Sequence, residues 1–76
     1  EYFKYIQQML AQRIKFLINA NMERLLQILY RIDVPQAETD NAFNLGEVNQ
    51  ISNELARLII NRQLQKIDYA KKFYKK

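Results

Sequence analysis

From Tyr2 to Ile32 the chain contains neither proline nor glycine, and its apolar residues return at helical spacing. That pattern excludes a strand, whose side chains alternate between faces, and predicts one long amphipathic helix over 2–32. Its core stripe reads Phe3, Leu10, Ile14, Leu17, Ile18, Leu25, Ile28, Leu29 and Ile32, with Gln8, Gln12, Lys15, Asn19 and Glu23 largely opposite. Two amides intrude on the stripe, Gln7 and Asn21. A buried amide must find partners or cost about 1–3 kcal/mol. Asn21 therefore has two readings: a group that fixes register at a helix interface, or a local break or wet edge of the stripe.

The run stops at Asp33-Val34-Pro35, where the chain must turn back. Proline is tolerated in a first helical turn, so a short second helix is expected over 35–44. Asp33, with Gln36 three residues on, has the spacing of a capping box for it. Leu45-Gly46 then breaks the chain, with glycine free to adopt the left-handed conformation that ends helices. A third helix is expected over 47–74, its core stripe being Val48, Ile51, Leu55, Leu58, Ile59, Ala70 and Phe73. Arg62 and Lys66 interrupt this stripe in the distal half.

Each long helix carries a second apolar face. On the first it is Tyr2, Tyr5, Met9 and Phe16; on the third it is Ile60, Leu64, Ile67 and Tyr74. A helix with one neighbour needs one stripe, so two stripes predict two neighbours. If the long helices run antiparallel, as a short connection favours, these faces gather at one open end. The expected fold is all-α: an antiparallel helical hairpin with a short intervening helix, dimerising into a four-helix bundle. Those eight side chains form the expected interface, and the partner is a second copy of the chain. A chain of 76 residues makes a single domain and buries only about 60% of its unfolded surface, so a partner adds what the core lacks.

Charge divides along the chain. Asp33, Glu38, Asp40, Glu47 and Glu54 occupy a stretch without lysine or arginine, whereas Asp68 is the lone acid among Arg57, Arg62, Lys66, Lys71, Lys72, Lys75 and Lys76. The acidic turn does not fit a calcium loop. Starting at Asp40, Ala42 takes the third position, Leu45 the place of glycine, and Ile51 the place of the bidentate glutamate.

The chemistry of catalysis is thinly supplied. There is no histidine and no cysteine, and Ser52 is the single serine, with no base to activate it. No enzyme activity, cofactor or metal is expected. The lysines Lys71, Lys72, Lys75 and Lys76 interleave with Tyr69, Phe73 and Tyr74, a combination that grips nucleic-acid backbones and stacks on bases. A nucleic-acid-associated protein is thus the second reading, after a non-enzymatic self-association or protein-interaction module. No apolar run approaches the length of about 20 residues needed to span a bilayer. The chain starts at Glu1 rather than Met, as expected where an N-terminal piece has been removed, and a cytoplasmic location is expected.

The segments Glu23–Val34 (ERLLQILYRIDV) and Leu58–Lys66 (LIINRQLQK) resemble a group of small, all-helical bacterial proteins of unassigned function. The resemblance covers roughly residues 14–68. It implies a bacterial cytosolic origin and the same order of long helix, short acidic segment and long helix, but no activity or site residue.

Overall fold

The computed structural model describes residues 2–74, with side chains for residues 2–71. These form four helices: α1 (Tyr2–Ala20), α2 (Met22–Ile32), α3 (Gln36–Phe43) and α4 (Val48–Tyr74). No strand occurs among the described residues.

The helix expected over 2–32 is two helices, parted at Asn21. This residue has φ −160° and ψ 77°, and its Oδ1 accepts from Arg24 N at 3.1 Å, capping α2. Its backbone still serves both neighbours. Asn21 N donates to Leu17 O at 2.7 Å, and Leu25 N donates to Asn21 O at 3.3 Å. Periodicity survives the break because a single residue supplies it, so the apolar spacing alone does not betray the bend. An N-cap amide is worth about 1 kcal/mol, which favours the bend over a continuous helix. Asn21 is exposed, and its acceptor is committed to the cap.

Asp33 is not the N-cap of α3, and it forms no capping box with Gln36. It sits in the left-handed region at φ 70° and closes α2 instead. Asp33 N donates to Leu29 O and Tyr30 O, and Val34 N donates back to Leu29 O at 3.2 Å. This is a Schellman closure that satisfies the last carbonyls of α2. Pro35 takes the N-cap position of α3 with no side-chain bond, and Gln36 Nε2 donates to Asp40 Oδ1 at 2.9 Å. After α3, Gly46 takes φ 91° and α4 begins at Val48.

Packing follows from where these turns send the chain. Helix α1 lies along α4, and Gln7 Nε2 donates to Asn53 O at 3.3 Å. Gln8, Gln12 and Lys15 share a groove with Asn49 and Asn53. A parallel α1 would carry Lys15 toward Asn61, so the two helices run antiparallel. Asp33 ends beside Arg62, so α2 climbs back in the direction of α4. Helix α3 then descends beside Arg57, Leu58, Asn61 and Gln65.

The core is Ile14, Leu25, Leu29, Ile51, Leu55, Leu58 and Ile59, joined by the small residues Ala11, Ala42 and Ala56. Leu25 and Leu55 are wholly buried. Ala11, Ser52 and Ala56 are small enough to let α1 approach α4 closely, the role small side chains play at helix crossings. Of the expected core members, Leu10, Leu17, Ile18 and Ile32 pack partly buried against it, Ile28 and Val48 are half-buried, and Phe3 and Ala70 are exposed. The reason is register. Gln7 meets Asn53, so the first turn of α1 reaches only the middle of α4, and the two far ends do not come together. The expected core member Phe73 lies outside the described side chains.

Candidate interaction surface

Among the described residues, three exposed apolar stripes remain once the core is closed; the third is Met22, Leu26 and Tyr30 on α2, and the other two carry the residues expected at an interface. The first runs along the outer side of α1, through Tyr2, Tyr5, Met9 and Phe16. At 100° per residue these four lie on the side of α1 facing away from Ala11 and Ile14. Tyr5, Met9 and Phe16 line a shallow groove with Gln8, Gln12 and Arg13. The second stripe is on α4, where Ile60 is half-buried and Leu64 and Ile67 are exposed. Seven of the eight residues expected at an interface therefore lie on these two stripes. Tyr74 lies outside the described side chains. The stripes are separated rather than gathered at one open end, because α1 seats on the first half of α4.

The distal part of α4 differs sharply from its base. Every described side chain from Gln63 to Lys71 is exposed. Arg62, which interrupts the stripe in the sequence, ties α4 to the end of α2. Its Nη2 donates to Asp33 Oδ2 at 3.2 Å, and its Nη1 donates to Gln65 Oε1 at 3.3 Å. Gln7, the intruder on α1, is satisfied by the carbonyl of Asn53.

Electrostatically the fold cancels part of the division seen along the chain. Asp33 reaches Arg62, and Glu54 forms a two-pronged pair with Arg57, one prong at 3.0 Å. The hydrogen bonds from Arg57 hold the Glu54 carboxyl below the ordinary carboxylate range, against the opposing effect of partial burial. The same bonds raise Arg57, with a further contribution from the charge of Glu38. What remains is a cationic α1, whose Lys4, Arg13 and Lys15 have no acid among residues 2–20. Lys71 is exposed on α4; Lys72, Lys75 and Lys76 fall outside the described side chains.

Ser52 is buried between α1 and α4, and its Oγ has no hydrogen-bond partner among the described residues. It stands in the core seam with Ala11, and no base is hydrogen-bonded to it that would make it a nucleophile. Sequence periodicity missed it, as it missed Thr39, because small polar residues carry little hydrophobic signal. The described residues hold no cluster of three or more His, Cys, Asp or Glu side chains able to bind a metal ion. Among the described residues, no helix is long and apolar enough to cross a membrane.

Comparison with protein-family models, with curated proteins and with solved structures finds no match to this chain. Function is therefore read from the surface itself.

Proposed function

We propose that this chain is a non-enzymatic helical module that acts by self-association, as a homodimer in which α1 and α4 of both copies form a four-helix assembly. The observation that carries this reading is the pair of exposed apolar stripes, Tyr2-Tyr5-Met9-Phe16 and Ile60-Leu64-Ile67. Side chains of this size scattered singly need no explanation, but a contiguous exposed patch marks an interaction surface. The distal end of α4 supports the same reading. Beyond Arg62, α4 projects with Leu64 and Ile67 exposed on one side.

Sedimentation at micromolar concentration tests this. A dimer is expected, and Leu64→Glu is expected to dissociate it and lower the melting temperature together, since partner binding stabilises the fold by mass action. A monomer whose melting temperature does not move with concentration would overturn the reading.

A second reading, nucleic-acid association, is favoured by the exposed Tyr69 and Lys71 in the last turns of α4, which point to different sides of the helix. Titration with single-stranded DNA and RNA at several salt concentrations separates the two. If the second reading holds, neutralising Lys71, Lys72, Lys75 and Lys76 flattens the log–log salt slope by about 0.7 for each phosphate no longer neutralised.

A further inference from the structure

The two stripes are placed so that one copy can fill the other. Asn53 marks the side of α4 on which α1 sits, because it receives Gln7. Ile60 and Ile67 follow Asn53 at successive seven-residue steps, which return to the same side of a helix within about 20°. The exposed stripe of α4 therefore continues the Asn53 edge of the α1 seat, whose buried seam residues Ser52 and Ala56 are followed at the same steps by Ile59 and Lys66 and by Gln63 and Ala70. It is empty there because the first turn of α1 ends near the middle of α4. Helix α1 in turn is apolar on two sides, with Ala11 and Ile14 toward its own α4 and Tyr5, Met9 and Phe16 facing away.

We infer that, in the self-association proposed above and resting on it, the partner's α1 occupies the vacant half of the α4 seat. The two α1 helices meet start to start on the two-fold axis. Each is then sandwiched between the first half of its own α4 and the distal half of the partner's α4. At this register Tyr2, Tyr5 and Met9 stand beside the partner's stripe, while Phe16, seven residues beyond Met9, lies past Ile67. The outer face of α1 packs against Ile60, Leu64 and Ile67 of the second copy, and by symmetry the converse packing forms on the other side. The two chains run in the same direction there, where the steps from Tyr5 to Met9 and from Ile60 to Leu64 match. Direct pairing of the two α4 stripes would instead leave Tyr5 and Met9 uncovered.

The area agrees with what a stable dimer needs. Tyr2, Tyr5, Met9, Phe16, Leu64 and Ile67 are 72%, 61%, 55%, 65%, 43% and 52% exposed. At about 200 Å² for a large side chain, the five other than Phe16 offer roughly 570 Å² per copy, or about 1,100 Å² for the pair. A specific interface should clear about 1,000 Å² in total. The α4 stripe alone falls far short of that, so a stable dimer requires α1 in the seam.

The chain has no cysteine, so single cysteines report the arrangement cleanly. Met9→Cys chains are mixed in denaturant with Leu64→Cys or Lys71→Cys chains, refolded and oxidised, and each variant is also oxidised alone. Disulfides form only where Cα atoms come within about 7 Å. The sandwich predicts a covalent dimer in at least one of the two mixtures. It also predicts none from Leu64→Cys or Ile67→Cys alone, because α1 stands between the two distal α4 stripes. Efficient self-cross-linking of Leu64→Cys or Ile67→Cys would overturn the sandwich in favour of direct α4 pairing, and self-association would stand. A chain that sediments as a dimer but cross-links in neither mixture would also overturn the sandwich alone. A monomer by sedimentation would overturn both.

Discussion

The two halves of α4 are one continuous helix with opposite surroundings. In the first half, Ile51, Leu55, Ala56, Leu58 and Ile59 are buried under α1, α2 and α3. In the second half, Leu64 and Ile67 have the same apolar character and helical spacing, yet stand exposed. Backbone and propensity do not distinguish the halves; what differs is whether a neighbouring element reaches them. A helical stripe thus states a demand for burial, and the turns decide where that demand is met within the chain.

Substitution at matched positions gives the largest expected effect. Leu55→Ala removes a wholly buried side chain and is expected to cost about 2–5 kcal/mol in denaturant melts at any protein concentration. Leu64→Ala is expected to cost little at high dilution and progressively more as concentration rises. Equal, concentration-independent losses at both sites would erase the distinction between the halves.

Asn21 offers a sharper test at smaller scale. As the cap of α2, Asn21→Leu is expected to lower stability by about 1 kcal/mol. As a register-fixing group it would do the opposite, raising stability while admitting more than one assembly state. The sign of the change in denaturant midpoint, read beside the sedimentation profile, decides between them.

The smallest effect concerns the paired base of α4. The folded-state Glu54 carboxyl is held below its ordinary range, chiefly by hydrogen bonds from Arg57. Its contribution to stability is therefore present above the unfolded carboxylate value, near pH 4.3, and is lost as pH falls through the lower folded value. The pair is partly exposed and three residues apart on one helix, so Glu54→Gln is expected to cost no more than about 0.5 kcal/mol at neutral pH. The difference from wild type is expected to vanish in strong acid. A loss that persists there would assign Glu54 a packing role instead.

Much of this architecture is legible in the residues. The stripes through Ile14, Leu25 and Leu29 and through Ile51, Leu55 and Ile59 name the core faces, because burial enforces periodicity. The short α3 and the start of α4 are legible from Pro35 and Gly46. Three things are not. The bend at Asn21 leaves the period intact, so the spacing admits it without selecting it. The left-handed closure at Asp33 has the same residue pattern as a capping box until backbone angles are known. The level at which α1 meets α4 is set by Gln7, Asn53 and the small residues Ala11, Ser52 and Ala56, and periodicity reports a face, never a height. For the candidate surface the same limit applies. The residues of both stripes are identifiable from spacing, but their separation on the molecule depends on that height.

The joint at Asn21 has a further consequence for the shapes open to this chain. Helical hydrogen bonds already run through Asn21 N and Asn21 O on its two sides. Only the torsions of this residue, φ −160° and ψ 77°, depart from helical values near −63° and −42°. Rotating them would straighten α1 and α2 into a single rod and swing α1 away from its own α4. The freed α1 could then take the equivalent seat on another copy, exchanging the element between molecules. The cap bond from Arg24 N, the Gln7–Asn53 bond and the packing of Leu10, Ala11, Ile14, Leu17 and Ile18 stand between the folded hairpin and that exchanged form.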